Sequence, residues 1–146
     1  MIKRILVPID GSPHSKKALE FACDLALKYD AGLHLLHIVQ AVTGDYTLVL
    51  GGSSVTVNAS QEELKKAGAS LMESAQNLAE EQGSRVAETH TQGGVPAQRI
   101  LNYAIEHKVD MIVMGSRGLN DFAGLILGSV SHRVSHLAEC TCVTVR

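Results

Sequence analysis

Two short runs constrain this chain more than any other feature: "LHLLHIV" at residues 33–39 and "VDMIVM" at residues 109–114. Both are apolar at nearly every position, and both are far shorter than the ~18 residues of a membrane-spanning helix. A strand with one buried face alternates apolar and polar residues. A strand that is apolar throughout is covered on both faces, which implies a parallel sheet between helices. Parallel neighbours in turn require long crossovers, so the intervening segments must supply those helices.

"IKRILVPID" is a first short strand that stops at Pro8 and Asp10. Ser12 followed by Pro13 offers an N-cap and a pre-set first helical residue. Ala18, Leu19, Ala22, Leu25, Ala26 and Tyr29 then recur at helical spacing, predicting a helix over about 13–29 that Gly32 breaks. Residues 40–60 lack a clean period, and Gly51-Gly52 and Ser53-Ser54 mark them as a long excursion with short extended or helical pieces. Ser60 and Glu63 form a capping box, and Leu64, Ala67, Leu71, Ala75, Leu78 and Ala79 make one stripe of a helix over about 61–82. "RVAETHTQ" alternates as a third strand, and Pro96 opens a helix carrying Ile100, Leu101, Ala104 and Ile105 on one side. "GSVSHRVSHLAE" is a short fourth helix and "CTCVTVR" a terminal strand.

This alternation predicts a single domain over residues 1–146, a Rossmann-like α/β/α sandwich around a five-stranded parallel sheet with right-handed crossovers. Ligands of such sheets bind beyond the carboxyl ends of the strands, here Asp10-Gly11-Ser12 and Gly115-Ser116-Arg117-Gly118. Composition narrows the ligand. A net charge of −2 and 3% aromatic residues give neither the field nor the stacking platforms of a general nucleic-acid binder. There is no membrane-length apolar stretch, and the N-terminus turns polar after nine residues without a small-residue cleavage site. The three cysteines, Cys23, Cys140 and Cys142, form no even framework and suit reduced thiols, so a cytoplasmic location is expected.

Two familiar phosphate loops can be set aside. No G-x-x-x-x-G-K occurs, and the first strand leads into "DGSPHS" rather than G-x-G-x-x-G. What remains is "GSRGLNDFAGLILGSV" at residues 115–130, that is, Gly115-x2-Gly118-x9-Gly128-Ser129. A helix starting at Gly128-Ser129 would present unpaired amides and a partial positive charge to a phosphate, with Arg117 adding a charge-assisted contact. The same residues also suit a turn followed by an ordinary Ser N-cap.

With "ILVPIDGS", "LLHIV" and "VDMIVMGSRG", this pattern resembles the universal stress protein family, in the ATP-binding branch marked by G-x2-G-x9-G-(S/T). The resemblance spans nearly the whole chain and implies strand order 3-2-1-4-5, as in the adenine-nucleotide α-hydrolase-like group. It further implies that Pro8, Ile9 and Asp10 border an adenosine, with the Asp10 carboxylate near ribose hydroxyls or a phosphate-bound Mg²⁺. The Ile38 backbone would read the adenine edge, and Met114 and Gly115 would flank base and sugar. Gly118, Gly128, Ser129 and the Val130 amide would hold phosphates beside Arg117. Leu119, Asn120 and Asp121 stand where many members carry a basic residue, leaving the outer-phosphate end less positive and ATP against AMP or ADP open. The resemblance also implies a homodimer paired through residues 141–146, here made polar by Thr141, Cys142 and Thr144.

Other clusters carry less. His132, His136 and Cys140 mimic zinc spacing without a third firm ligand, and Cys140-x-Cys142 lacks the C-x-x-C spacing of redox pairs. Ser12 and Ser15 read as helix-capping residues, and no His–acid pair accompanies them. The expected function is a regulatory Mg-ATP-binding module in stress response, with at most slow hydrolysis or autophosphorylation, since no lysine or positioned base is evident. The alternatives are a nucleotide-free dimeric scaffold and an ATP-cleaving adenylating enzyme. The latter would call for a Ser-Gly-Gly loop or an H-x-G-H motif, which "DGSPHS" does not contain.

Overall fold

The computed structural model describes residues 1–40, 46–50, 53–57, 61–119 and 126–146. Its elements are β1 (Arg4–Pro8), α1 (Pro13–Tyr29), β2 (Gly32–Val39), β3 (Tyr46–Leu50), β4 (Ser53–Val57), α2 (Gln61–Glu81), β5 (Val86–Gly93), α3 (Pro96–Glu106), β6 (Met111–Gly115), α4 (Ser129–Leu137) and β7 (Thr141–Val145). Five strands form one sheet in the order β5-β2-β1-β6-β7, with every pair parallel. Leaving aside the β3–β4 hairpin, this is the expected order 3-2-1-4-5. The hairpin occupies the long excursion as two antiparallel strands in a sheet of their own. Ser60 of the expected capping box lies outside the described residues.

The two-sided apolar strands divide the core as their alternation requires. Ile5 and Val7 of β1, Leu33 and Leu35 of β2, and Val113 of β6 meet Ala18, Leu19 and Ala22 of α1 and Met72, Ala75 and Ala79 of α2. On the opposite face Leu6, Leu36, Ile112 and Met114 meet Ile100, Tyr103 and Ala104 of α3 and Val134 of α4. Each fully buried aliphatic side chain contributes about 1.5–3 kcal/mol by leaving water, which is why these central strands are the structural backbone.

One local expectation needs correction. Gly32 does not end α1. The left-handed residue there is Asp30, at φ 52, and its N–H bonds Ala26 O. Gly32 instead lies inside the sheet, where a Cβ would come within 2.9 Å of Ala87 Cβ. Its lack of a side chain answers to the neighbouring strand. Ser12 caps α1 as expected, its hydroxyl accepting the Ser15 N–H at 3.1 Å.

Candidate functional site

Helices follow β1 on one face of the sheet and β6 on the other, so a crevice opens between the ends of these strands. Its cavity volume is about 110 Å³, and the chamber beside it holds about 530 Å³, within the range of about 300–1,000 Å³ usual for small-molecule pockets. From the expected set the crevice brings together Pro8, Ile9, Asp10, Ile38, Met114, Gly115, Arg117, Gly118 and Val130. The larger adjoining chamber shares Asp10, Ile38, Gly118 and Val130 with it and adds Ser129. Among the described residues lining the two spaces, Asp10 is the one carboxylate and Arg117 the one guanidinium.

The β1–α1 turn is held by its own polar groups. Gly11 adopts φ +83, a conformation that a side chain would strain. Asp10 Oδ1 accepts the Ser12 N–H at 2.8 Å. The Ser15 hydroxyl accepts the Asp10 N–H at 3.2 Å and donates to the Pro8 carbonyl at 3.3 Å. Asp10 therefore caps its turn and also lines the cleft, so its structural and ligand-facing roles coincide. His37 ties this turn to β2, with Nδ1 2.7 Å from the Ile9 carbonyl. A carbonyl only accepts, so that nitrogen carries the proton.

The β6–α4 segment is built differently. Gly115 leaves no room for a side chain: a Cβ would lie 2.8 Å from the His14 carbonyl carbon and 2.9 Å from Ser15 N. This glycine allows β6 to pack against the start of α1. Gly128 rather than Ser129 is the N-cap of α4, and it provides no side-chain hydrogen bond. The Gly128 N–H donates to the Ser116 carbonyl at 2.6 Å, so that amide is engaged within the protein. At the first turn of α4 the Gly128 N-cap offers no capping side chain to the amides that follow, which is the electrostatic setting that suits an anion. Inside that turn Ser131 donates its hydroxyl to the Ser116 carbonyl at 2.7 Å.

Several cleft residues escaped the sequence reading. Leu36 was within reach, since it shares a strand face with Ile38 two positions on. Pro96 and Ile100 come from α3, and no local pattern in the sequence points that helix at the first strand. The cysteines carry no reactive signature: burial raises both Cys140 and Cys142, the latter to about 11, which keeps them as thiols. His132 and His136 stack in parallel with ring centroids 6.4 Å apart. Among the described residues no group of three or more His, Cys, Asp or Glu side chains could hold a metal. No helix there is long and apolar enough to cross a membrane.

Comparison with known proteins agrees with this architecture. The universal stress protein family matches the chain over residues 1–146. The chain is 40% identical to universal stress protein YxiE of Bacillus subtilis over 149 aligned residues, covering 100% of both. In structure it is similar to universal stress protein UspA from Lactobacillus plantarum, with TM-score 0.78, 24% identity and coverage of 99% and 97%. It is also similar to a universal stress protein in complex with cAMP, with TM-score 0.72, 25% identity and coverage of 99% and 97%. A sheet of this order, a cleft at its switch point and full-length matches lead to one conclusion: the chain belongs to the universal stress protein family.

Proposed function

We propose that this protein is a regulatory module of stress response that binds an adenine nucleotide, Mg-ATP in the first instance, in the cleft between β1 and β6. The observation that carries this reading is the convergence of Asp10, Ile38, Met114 and Gly118 on one crevice that opens onto the uncapped first turn of α4. The cAMP complex of a similar protein supports the adenine-nucleotide class. Asp10 fits a nucleotide-borne Mg²⁺, because that ion keeps most of its shell as water and phosphate and takes one or two carboxylates from protein. When bound, Mg²⁺ would neutralise phosphate charge. The chain's own residues hold and orient: the apolar walls at Ile38 and Met114 suit a base, and the α4 amides suit phosphate. Among the described residues lining the space Arg117 is the single guanidinium and none is a lysine, so the site is suited to retention, with hydrolysis or autophosphorylation slow at most.

Isothermal titration with ATP, ADP and AMP tests the reading, repeated on Gly118→Val and Ser129→Leu. The wild type should bind at least one nucleotide and both variants should lose about tenfold or more, the scale of one charge-assisted contact. Absence of binding by the wild type would sink the proposal. A nucleotide-free scaffold has its own support, since packing against His14 accounts for Gly115 and the Ser116 carbonyl engages the Gly128 amide. In either reading we place the protein in the cytoplasm as a homodimer paired through residues 141–146, because β7 is an edge of the sheet with open hydrogen-bonding groups.

A further inference from the structure

A second group of ionisable side chains gathers between α3 and the sheet, away from the cleft. His34 of β2 is 8% exposed. Its Nδ1 lies 3.1 Å from the Tyr103 hydroxyl and 3.4 Å from Glu88 Oε2 on β5. The other oxygen of Glu88 is 3.7 Å from His107 Nε2, just beyond the end of α3. The His107 ring stacks on Tyr103 with centroids 3.8 Å apart and planes within 10°. His90 of β5 flanks the same phenol at 5.8 Å. One carboxylate thus serves two imidazoles and a phenol, and this clasp ties α3 to β2 and β5.

The charge balance around His34 favours the neutral ring. Burial lowers its pKa from the ordinary 6.5; Glu88 opposes this, while His107, Arg4 of β1 and Arg85 ahead of β5 add to the lowering. Burial also pushes the Tyr103 hydroxyl far up, so it remains a hydrogen-bond donor. Tyr103 lies one turn from Ile100 on α3, and Ile100 with Pro96 forms a wall of the cleft. A single helix of 11 residues therefore joins clasp and cleft.

We propose that this Glu88-centred clasp makes occupancy of the cleft pH-dependent: a proton on His34 puts a cation between α3 and the sheet, unseats the wall at Pro96 and Ile100, and weakens nucleotide binding. The inference rests on the adenine-nucleotide reading above. The stability contributed by neutral His34 is full above its unfolded-state value and is lost as pH falls through the lower folded-state value. By reciprocity, a nucleotide that prefers the seated helix lowers the proton affinity of His34 by the same factor.

The test is AMP affinity by calorimetry at about pH 7.5 and about pH 5.5 for the wild type, His34→Asn and Glu88→Gln. Protonation of AMP itself is common to all three and cancels in their ratios. The wild type should lose several-fold more affinity than His34→Asn, less than the tenfold per pH unit that one linked proton supplies at most, because His34 takes up its proton below the ordinary 6.5. Glu88→Gln removes the anion that favours the charged ring, so its loss should set in at lower pH. Equal losses in the wild type and His34→Asn would overturn the proposal. NMR of the free protein adds a nucleotide-independent readout. Amide resonances of Ala97 and Ile100 should move along the His34 titration, and resonances that stay still would equally overturn it. No AMP binding at about pH 7.5 would count against the nucleotide reading, while the amide measurement would still judge the clasp.

Discussion

The two segments that meet in the cleft are built on opposite principles. The β1–α1 turn satisfies itself: Asp10, Ser12 and Ser15 bond one another's backbone, and Ser12 caps the helix that follows. The β6–α4 segment ends in a glycine N-cap with no side-chain oxygen, although Ser131 secures the turn behind it. One side of the cleft is a pre-set frame that needs no ligand. The other has an N-cap that offers its helix amides no side-chain acceptor, and a helix end of this kind is where an anion gains most. The difference separates residues that set shape from residues available for binding.

The comparison can be broken most forcefully at the point where the two segments touch. Gly115→Val would push side-chain atoms into the His14 and Ser15 backbone and should cost about 3 kcal/mol, the scale of overpacking against atoms that cannot yield. Urea unfolding should show a lowered midpoint, and an unchanged midpoint would refute the close-approach explanation. Next comes Gly128→Asp, which gives α4 the cap that α1 already has, at an N-cap φ of −74 that any residue adopts. Nucleotide affinity should fall about tenfold, because a carboxylate would occupy the anion's place, while thermal stability rises slightly. Unchanged affinity would mean that the α4 terminus is not where phosphate sits.

Ser12→Ala removes the cap from the self-sufficient side and should cost about 1 kcal/mol in urea unfolding. If it costs nothing, the turn is held by its other bonds and the contrast between the segments narrows. The smallest effect is expected of Arg117→Ala. Stability should stay within about 0.5 kcal/mol, since Arg117 is half-buried at the cleft and outside the two core clusters. ATP affinity should drop several-fold and more steeply at low salt, as expected for a partly screened charge. Equal binding at all salt concentrations would remove Arg117 from the site.

Much of the fold was legible because its signals are local. Ser12-Pro13 announced α1, Pro96 announced α3, and the two-sided apolar runs identified β2 and β6 as interior strands. One reading failed in an instructive way, and two left a choice that the structure narrowed. Gly32 was taken as the helix breaker, whereas Asp30 adopts the left-handed conformation and Gly32 accommodates Ala87. Both tasks suit glycine, and the chain alone does not say which neighbour demands it. Ser129 was read as a cap or a phosphate ligand, and the cap proved to be Gly128. The β3–β4 hairpin left no usable period in residues 40–60, where the reading anticipated short extended or helical pieces without choosing between them.

Composition and periodicity were enough to determine an α/β sandwich with its candidate loops at the strand ends, because helix and strand periods and turn chemistry act over a few residues. The tertiary structure alone decided that Pro96 and Ile100 wall the cleft, that His37 tethers the Ile9 carbonyl, and that His34, Glu88, Tyr103 and His107 form one clasp. These groupings join residues tens of positions apart. Their geometry follows from strand order and from which face each helix covers, and hydrophobic periodicity, which records only burial, is blind to both.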